Sequence, residues 1–304
     1  MGRLRADMVR ILLQSEQITT TTTENRTMLV SNHNLTDGKM TVDINGNGFA
    51  RTVNVTRLLA DGDTNTKTRK NGKDAHLSCG LSLAPHKLAG SGNLCGSASP
   101  ACIDACLNAT GLGSVFPMIQ ASRIAKAYLF QQERQWFLDN LRSDIAKWER
   151  KASKQGLKLC CRLNMFSDVQ WERFGIVEDF PNVQFYDYSK HVKRLLGGNK
   201  LAPNYWVTLS RSETNEAQCL EALARGVNVA VVFHNRGAFA GNRAGKQKLP
   251  KAWNGYRVHD GDTDDRRFLD PRGRKHGVVI GLRLKAPNNA QRQAAIDSGF
   301  SVPC

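Results

Sequence analysis

The sequence predicts an α/β protein, a parallel (β/α)6-type partial barrel preceded by a small N-terminal β element. Three observations lead to it. Short β-rich apolar runs recur at residues 157–163, 183–186, 205–209 and 227–233, each bounded by polar residues. The first three are followed by a polar junction and a helical stretch. Residues 116–154 carry Ile119, Ile124, Leu129, Trp136, Phe137, Leu141, Ile145 and Trp148 at helical spacing, read as two helices. Strands alternating with helices build a parallel sheet with right-handed crossovers.

Residues 1–75 have a different texture, with a threonine run at 19–23 and many Asn and Gly. They are read as a flexible start, a small β element and a polar linker at 61–73. Residues 40–44 and 50–55 alternate like hairpin strands around Asn45-Gly46-Asn47-Gly48. Asp43 to Gly48 also fits the first half of a calcium loop, but position twelve is Asn54 instead of the bidentate Glu such a loop needs. A hairpin turn is the better reading. The main domain is expected at 76–304. It opens with a strand at 76–83 and ends with one at 278–284. The 227–233 run is almost wholly apolar, which suits a strand covered on both faces.

With 304 residues the chain can bury a proper core, in one large domain or two modest ones. No run of 18 apolar residues occurs, so no membrane span is expected. The first residues are too short and too charged for a signal-peptide core, and the expected compartment is the cytoplasm. Lys and Arg total 43 against 27 Asp and Glu, a formal charge of +16. That excess draws polyanions at long range and points to nucleic acid or a nucleotide as partner. Protein partners are not legible.

The polar residues that can carry chemistry sit just past strand ends, where α/β proteins place their sites. The first strand runs into a loop holding Cys95, Cys102 and Cys106. Later strands run into Asn164 and Asp168, into Asp187 and Lys190, into Ser210, Ser212 and Glu213, and into His234. Ser167, Ser189 and Thr214 are also good helix N-caps, so any one junction has a purely local explanation. Three thiols separated by six and then three residues, with Gly96, Ser97, Ala98 and Ala101 between them, can wrap one metal centre. An iron–sulfur cluster is favoured over zinc. Cys79 or His86 can close a structural zinc site instead, and three packed, reduced thiols are the plainest alternative. The aspartate-rich stretch 258–271 suits Mg²⁺, a substrate amine or a ribose hydroxyl, or else a surface turn paired with Arg266, Arg267 and Arg272. The basic run 234–251 suits phosphate. A Ser–His–Asp hydrolase is disfavoured, because no Gly-x-Ser-x-Gly elbow occurs, and no Gly-rich Walker loop ending in Lys-Ser/Thr is present either.

Several of these segments together resemble a bacteriophage-encoded family of unknown function. They are Leu81-Ser82-Leu83-Ala84-Pro85, the three-cysteine loop, Arg162-Leu163-Asn164 with Ser167-Asp168, Phe185 to Lys190, Leu209 to Glu213, and Asp260-Gly261-Asp262. The resemblance covers about residues 65–302 and implies a phage origin, so that the expected cytoplasm is that of an infected host cell. A remoter, architectural likeness is to the radical SAM superfamily, which places a cysteine triad after the first strand of a six-stranded partial barrel. That likeness implies that Cys95, Cys102 and Cys106 hold three irons, with S-adenosylmethionine on the fourth and Ser210, Ser212 and Glu213 near its nucleoside. The spacing here is six and three instead of three and two, and no Gly-Gly-Glu follows the second strand. The expectation is a phage metalloprotein acting on a nucleotide or nucleic acid. The alternatives are a zinc-stabilised nucleic-acid-binding protein and a host-directed interaction protein.

Overall fold

A computed structural model of the chain describes residues 38–43, 50–64, 68, 71, 75–109, 116–198, 201–235, 248–286 and 288–304, with the backbone alone of 18–21 and 27–34. The chain begins with strands β1 (Ile18–Thr21), β2 (Thr27–Asn34), β3 (Lys39–Asp43) and β4 (Arg51–Asn54), a four-stranded antiparallel sheet in that order. The expected hairpin is β3 against β4, with Met40 opposite Val53. Its turn, and with it most of the calcium-like segment, lies outside the described residues.

Next come β5 (Leu59–Asp61), β6 (His76–Leu81), α1 (Pro100–Asp104), α2 (Pro117–Gln132), α3 (Arg134–Lys154), β7 (Lys158–Arg162), β8 (Gln184–Ser189), α4 (Val192–Leu196) and β9 (Tyr205–Ser210). The chain ends with α5 (Glu216–Ala224), β10 (Val229–His234), β11 (Ala252–Trp253), β12 (Tyr256–Asp260), β13 (Val279–Arg283), α6 (Asn289–Asp297) and β14 (Val302–Pro303). The two helices expected across 116–154 are α2 and α3. The apolar runs are β7 to β10, and 278–284 is β13.

Strands β6, β7, β8, β9 and β10 lie side by side in chain order, all parallel, and β13 adds to β10 in the same sense. The fold is therefore α/β with a mostly parallel central sheet. The sheet is open, edged by antiparallel β5 at one side and by the β11–β12 hairpin at the other. β12 was not foreseen. It pairs parallel to β13 from outside, although it precedes it in the chain. β14 pairs with β10 at Phe233 and His234, on the side where β9 has stopped pairing after Ala230. The C-terminal residues thus fill the split between two diverging strands.

No α-helix forms between β7 and β8, where a helical stretch was expected. The connection is a 3-10 turn at Trp171–Phe174, closed by Gly175 in the left-handed conformation. Burial of the Trp171 ring against Phe130, 5.2 Å away between centroids, anchors this turn in the core.

Helix α2 carries buried residues around most of its circumference, including Arg123 and Lys126. It lies between the small sheet and the main one, so it needs no wide polar face. Met40, Val42 and Val53 of the small sheet share one core with Ile124 and Leu129 of α2 and with Leu159 and Phe185 of the main sheet. Two buried charges staple the join. Lys126 Nζ donates to Leu58 O at 3.0 Å, and Asp144 accepts from the Leu58 amide at 2.7 Å. Burial lowers Lys126 to about 8, with the nearby Asp144 charge opposing that shift.

The segment read as a polar linker is tied to the main sheet wherever it is described. Thr68 and Asn71 are buried. Asn71 donates to Ser78 Oγ and accepts from the Asp265 amide at 2.9 Å. Gly62 runs so close to β6 that a Cβ there would sit 2.7 Å from Ser78 Cβ.

Candidate functional site

The carboxyl ends of β6 to β10 form one mouth, and the cysteine loop is fastened across it. The Asp168 amide donates to Leu94 O at 2.8 Å, and Ser97 Oγ lies 2.7 Å from His191 Nδ1. Glu213 accepts from Ser99 Oγ at 2.7 Å and from the Ala101 amide at 3.1 Å, a carboxylate at the start of α1. Three strand ends, those of β7, β8 and β9, therefore each hold a different part of the loop.

The three cysteines share this mouth. Burial pushes the Cys95 thiol up to about 12, and negative charge on Cys106, Asp168 and Cys102 adds to the rise. Cys95 Sγ points to Phe166 O at 3.6 Å. Arg123 stacks 4.0 Å over the Phe166 ring. Burial lowers that guanidinium to about 10, opposed by its attraction to Cys106, so a thiolate at Cys106 has a cation within reach. Cys102 packs on a small cluster that includes Phe300 and Leu284. Among the described residues no three His, Cys, Asp or Glu side chains are gathered closely enough to hold a metal ion as they stand. Cys79 lies in β6, fully buried and opposite Cys161 of β7.

The polar residues named from sequence divide by burial. Asn164 is a buried hub. Its Oδ1 accepts from Ser167 Oγ, the Val169 amide and Trp171 Nε1, while Nδ2 donates to Val169 O and Asp187. Asp187 is fully buried and accepts from the Asn164 amide at 2.7 Å and from Tyr205 OH at 2.8 Å. Burial raises its carboxyl to about 7 despite the nearby Arg162 charge. Both residues shape the rim from beneath.

Asp168, Lys190, Ser210 and Glu213 are only partly buried, at the rim itself. Asp168 accepts from Ser189 Oγ and from the Lys190 amide, both at 2.8 Å. Lys190 Nζ donates to Ser210 Oγ at 3.1 Å and lies 5.8 Å from the Phe300 ring. Ser212 is buried, its amide donating to Asn215 Oδ1. His234 is buried against Ser301 Oγ, 2.9 Å from its Nδ1. Helix capping does not account for these junctions. The caps of α4 and α5 are His191 and Asn215, and neither makes a side-chain capping bond.

The aspartate-rich stretch is spent on ion pairs. Asp260 and Asp262 meet Arg283, Asp264 meets Arg266, Asp265 meets Arg162, and Asp270 meets Arg267. Arg272 stacks on Trp206 instead of pairing with this stretch. Of the basic run 234–251, residues 236–247 lie outside the described residues. Sequence reasoning passed over His191 and Arg123. The signal for His191 was its place directly after Lys190. Arg123 sits in the middle of a helix and gave none.

The kinship of the chain follows from one match. Residues 56–302 fit the model of the family described as Gene product 88. The chain belongs to the Gene product 88 family. This is a phage-type family without an assigned activity, and the matched span runs from just before β5 to β14, taking in every rim residue and all three cysteines. The phage-family resemblance read from the sequence is thereby established. No curated protein and no solved structure matches the chain. These comparisons lend the radical SAM likeness no support. No helix among the described residues is long and apolar enough to cross a membrane.

Proposed function

We propose that this Gene product 88 family member is a metalloprotein that holds an iron–sulfur centre through Cys95, Cys102 and Cys106 and acts on a nucleotide or nucleic acid at the mouth of the sheet. The observation that carries the reading is the fastening of the cysteine loop by Asp168, His191 and Glu213. Those contacts fasten the loop at Leu94, Ser97, Ser99 and Ala101, and Cys95 is within electrostatic reach of both Cys102 and Cys106.

Thiols are the right donors for such a group, and binding it would have to draw them closer than they stand. Thiolates bind iron and zinc, and negative charge on Cys106 and Cys102 raises the cost of ionising Cys95 until a cation is present. Arg123 beside Cys106 offsets part of that cost. A bound cluster would supply electron transfer, with an open iron as a ligand position. The chain's own part is to orient and exclude. Glu213 and His191 fix the loop, Lys190 places a cation beside Ser210, and Phe300 closes one wall. S-adenosylmethionine near Ser210, Ser212 and Glu213 belongs to this reading in its most specific form. Glu213 is already engaged by Ser99 and Ala101, so a nucleoside would meet the hydrogen-bonded pair of Lys190 and Ser210 at the rim.

The test is elemental analysis after oxygen-free purification. Iron and sulfide in stoichiometric amounts, lost together in the Cys95→Ser, Cys102→Ser, Cys106→Ser triple variant, are expected. Stoichiometric zinc without iron would move the assignment to a zinc-stabilised nucleic-acid-binding protein. A metal-free protein whose triple variant is equally stable would leave only packed thiols.

A further inference from the structure

Beside the mouth, a groove of about 530 Å³ runs between the first half of the cysteine loop and the junction of α2 with α3. Its walls are Ser91 to Leu94 on one side and Phe130 to Gln132 with Arg134 on the other. Asp168 to Gln170, with Arg173 and Phe174, line it further, and His191 is shared with the mouth. The size suits one or two nucleotide units.

Its chemistry is unusual for a solvated cleft. Arg134 lies 4.0 Å over the Phe130 ring and 5.2 Å from Phe174. A guanidinium that sits over aromatic rings keeps N–H groups available to a ligand. Arg173 is exposed, and neither arginine makes an ion pair among the described residues. The one carboxylate in the lining, Asp168, is occupied by Ser189, the Lys190 amide and Arg194. The groove therefore carries two uncompensated positive charges. Around them stand the amides of Asn93, Gln132 and Gln170, groups that both donate and accept. Gln131 is turned to Ser91 Oγ at 2.6 Å.

We propose that this groove binds a phosphate-bearing nucleotide unit, with Arg134 and Arg173 on the phosphates and the base against the half-buried Phe174 and the amides. Stacking on aromatic and guanidinium planes, amide contacts to base edges and phosphate-directed arginines are how proteins hold unpaired nucleotides. The groove deepens the reading given above, resting on it in taking the mouth as the working face. The unit is either a free nucleotide or part of a single strand. The +16 charge of the chain adds long-range attraction in both cases.

The experiment is fluorescence anisotropy of the full chain with fluorescein-labelled oligothymidylate and oligouridylate across a salt series. Arg134→Ala with Arg173→Ala should weaken binding about tenfold or more and lower the salt slope by about 1.4. Arg173→Glu alone, at an exposed position, should weaken it as well, which guards against a folding defect in the double variant. Lys147→Gln with Lys154→Gln, on the far end of α3, should change it little. Competition by uridine monophosphate at concentrations comparable to the strand identifies a free-nucleotide site. Competition by the strand alone identifies a strand site. Groove variants that bind like the wild type, a wild type that binds no oligonucleotide at low salt, or equal competition by oligoglutamate would overturn the proposal. Metal content measured on the same samples separates the two readings. Intact metal without oligonucleotide binding sinks this one alone, and oligonucleotide binding without metal sinks the other alone.

Discussion

Glu213 at the end of β9 accepts a 2.7 Å hydrogen bond from Ser99, 114 positions earlier in the chain, and by it holds the start of α1 and the cysteine loop over the sheet. A carboxylate with two donors in a part-buried setting is a strong tie. Glu213→Ala should cost about 1–3 kcal/mol and release the loop. Hydrogen exchange at residues 95–106 should rise several-fold more than elsewhere, with Glu213→Gln intermediate.

Asp187 gives a pH signature. Its carboxyl is raised by burial from 3.8 to about 7. The folded state therefore holds its proton over a range where the unfolded chain releases it. This group's contribution is full below about pH 4 and is lost as pH rises towards 7, a loss on the order of 4 kcal/mol at most. Asp187→Asn should remove that slope. Urea midpoints of the two proteins, measured from pH 4 to 8, should converge at the acid end and diverge towards neutrality.

Arg162 and Asp265 form an ion pair at 2.8 Å with both side chains about 6% exposed. Removing one partner strands the other charge in the interior. Asp265→Ala should destabilise by about 3–5 kcal/mol, read as a lower melting temperature. The exposed pair Arg225 with Glu221 should contribute less than about 1 kcal/mol by the same assay.

Asn164 offers a test by isosteric change. Asn164→Asp keeps the shape and the three bonds to its acceptor oxygen, but replaces the donor facing Asp187 Oδ2 and Val169 O with a second acceptor. A loss of about 2–4 kcal/mol is expected, smaller at pH 5 than at pH 8 because protonation restores a donor.

Thiol reactivity should rank by environment. In metal-free protein Cys304, exposed at the C-terminus, should be alkylated well before Cys95, whose thiol is pushed up to about 12. Peptide mass spectrometry after a timed iodoacetamide pulse reads the order directly.

Local pattern carried most of the architecture. Apolar period and length are properties of neighbouring residues, so β7 to β10, β13 and the α2–α3 pair were legible. The β7–β8 crossover was not, because one indole buried against Phe130 outweighs the helical spacing around it. β12 was missed for a related reason. Its charged residues read as a surface turn, while its strand character comes from pairing with β13. The rim residues were found through the rule that strand ends carry function. Which of them reach the rim was a matter of burial, and Asn164 and Asp187 lie beneath it.

The amino-acid order alone established an α/β chain with excess positive charge, a phage-type kinship and three thiols on a small-residue loop, because spacing, composition and motif are all local quantities. That the loop is tied down by Asp168, His191 and Glu213, that the aspartates are consumed by arginines, and that Arg134 and Arg173 flank an open groove was decided by folding. Each of those relations joins residues far apart in the chain, and only the packing of the sheet against its helices sets their distance.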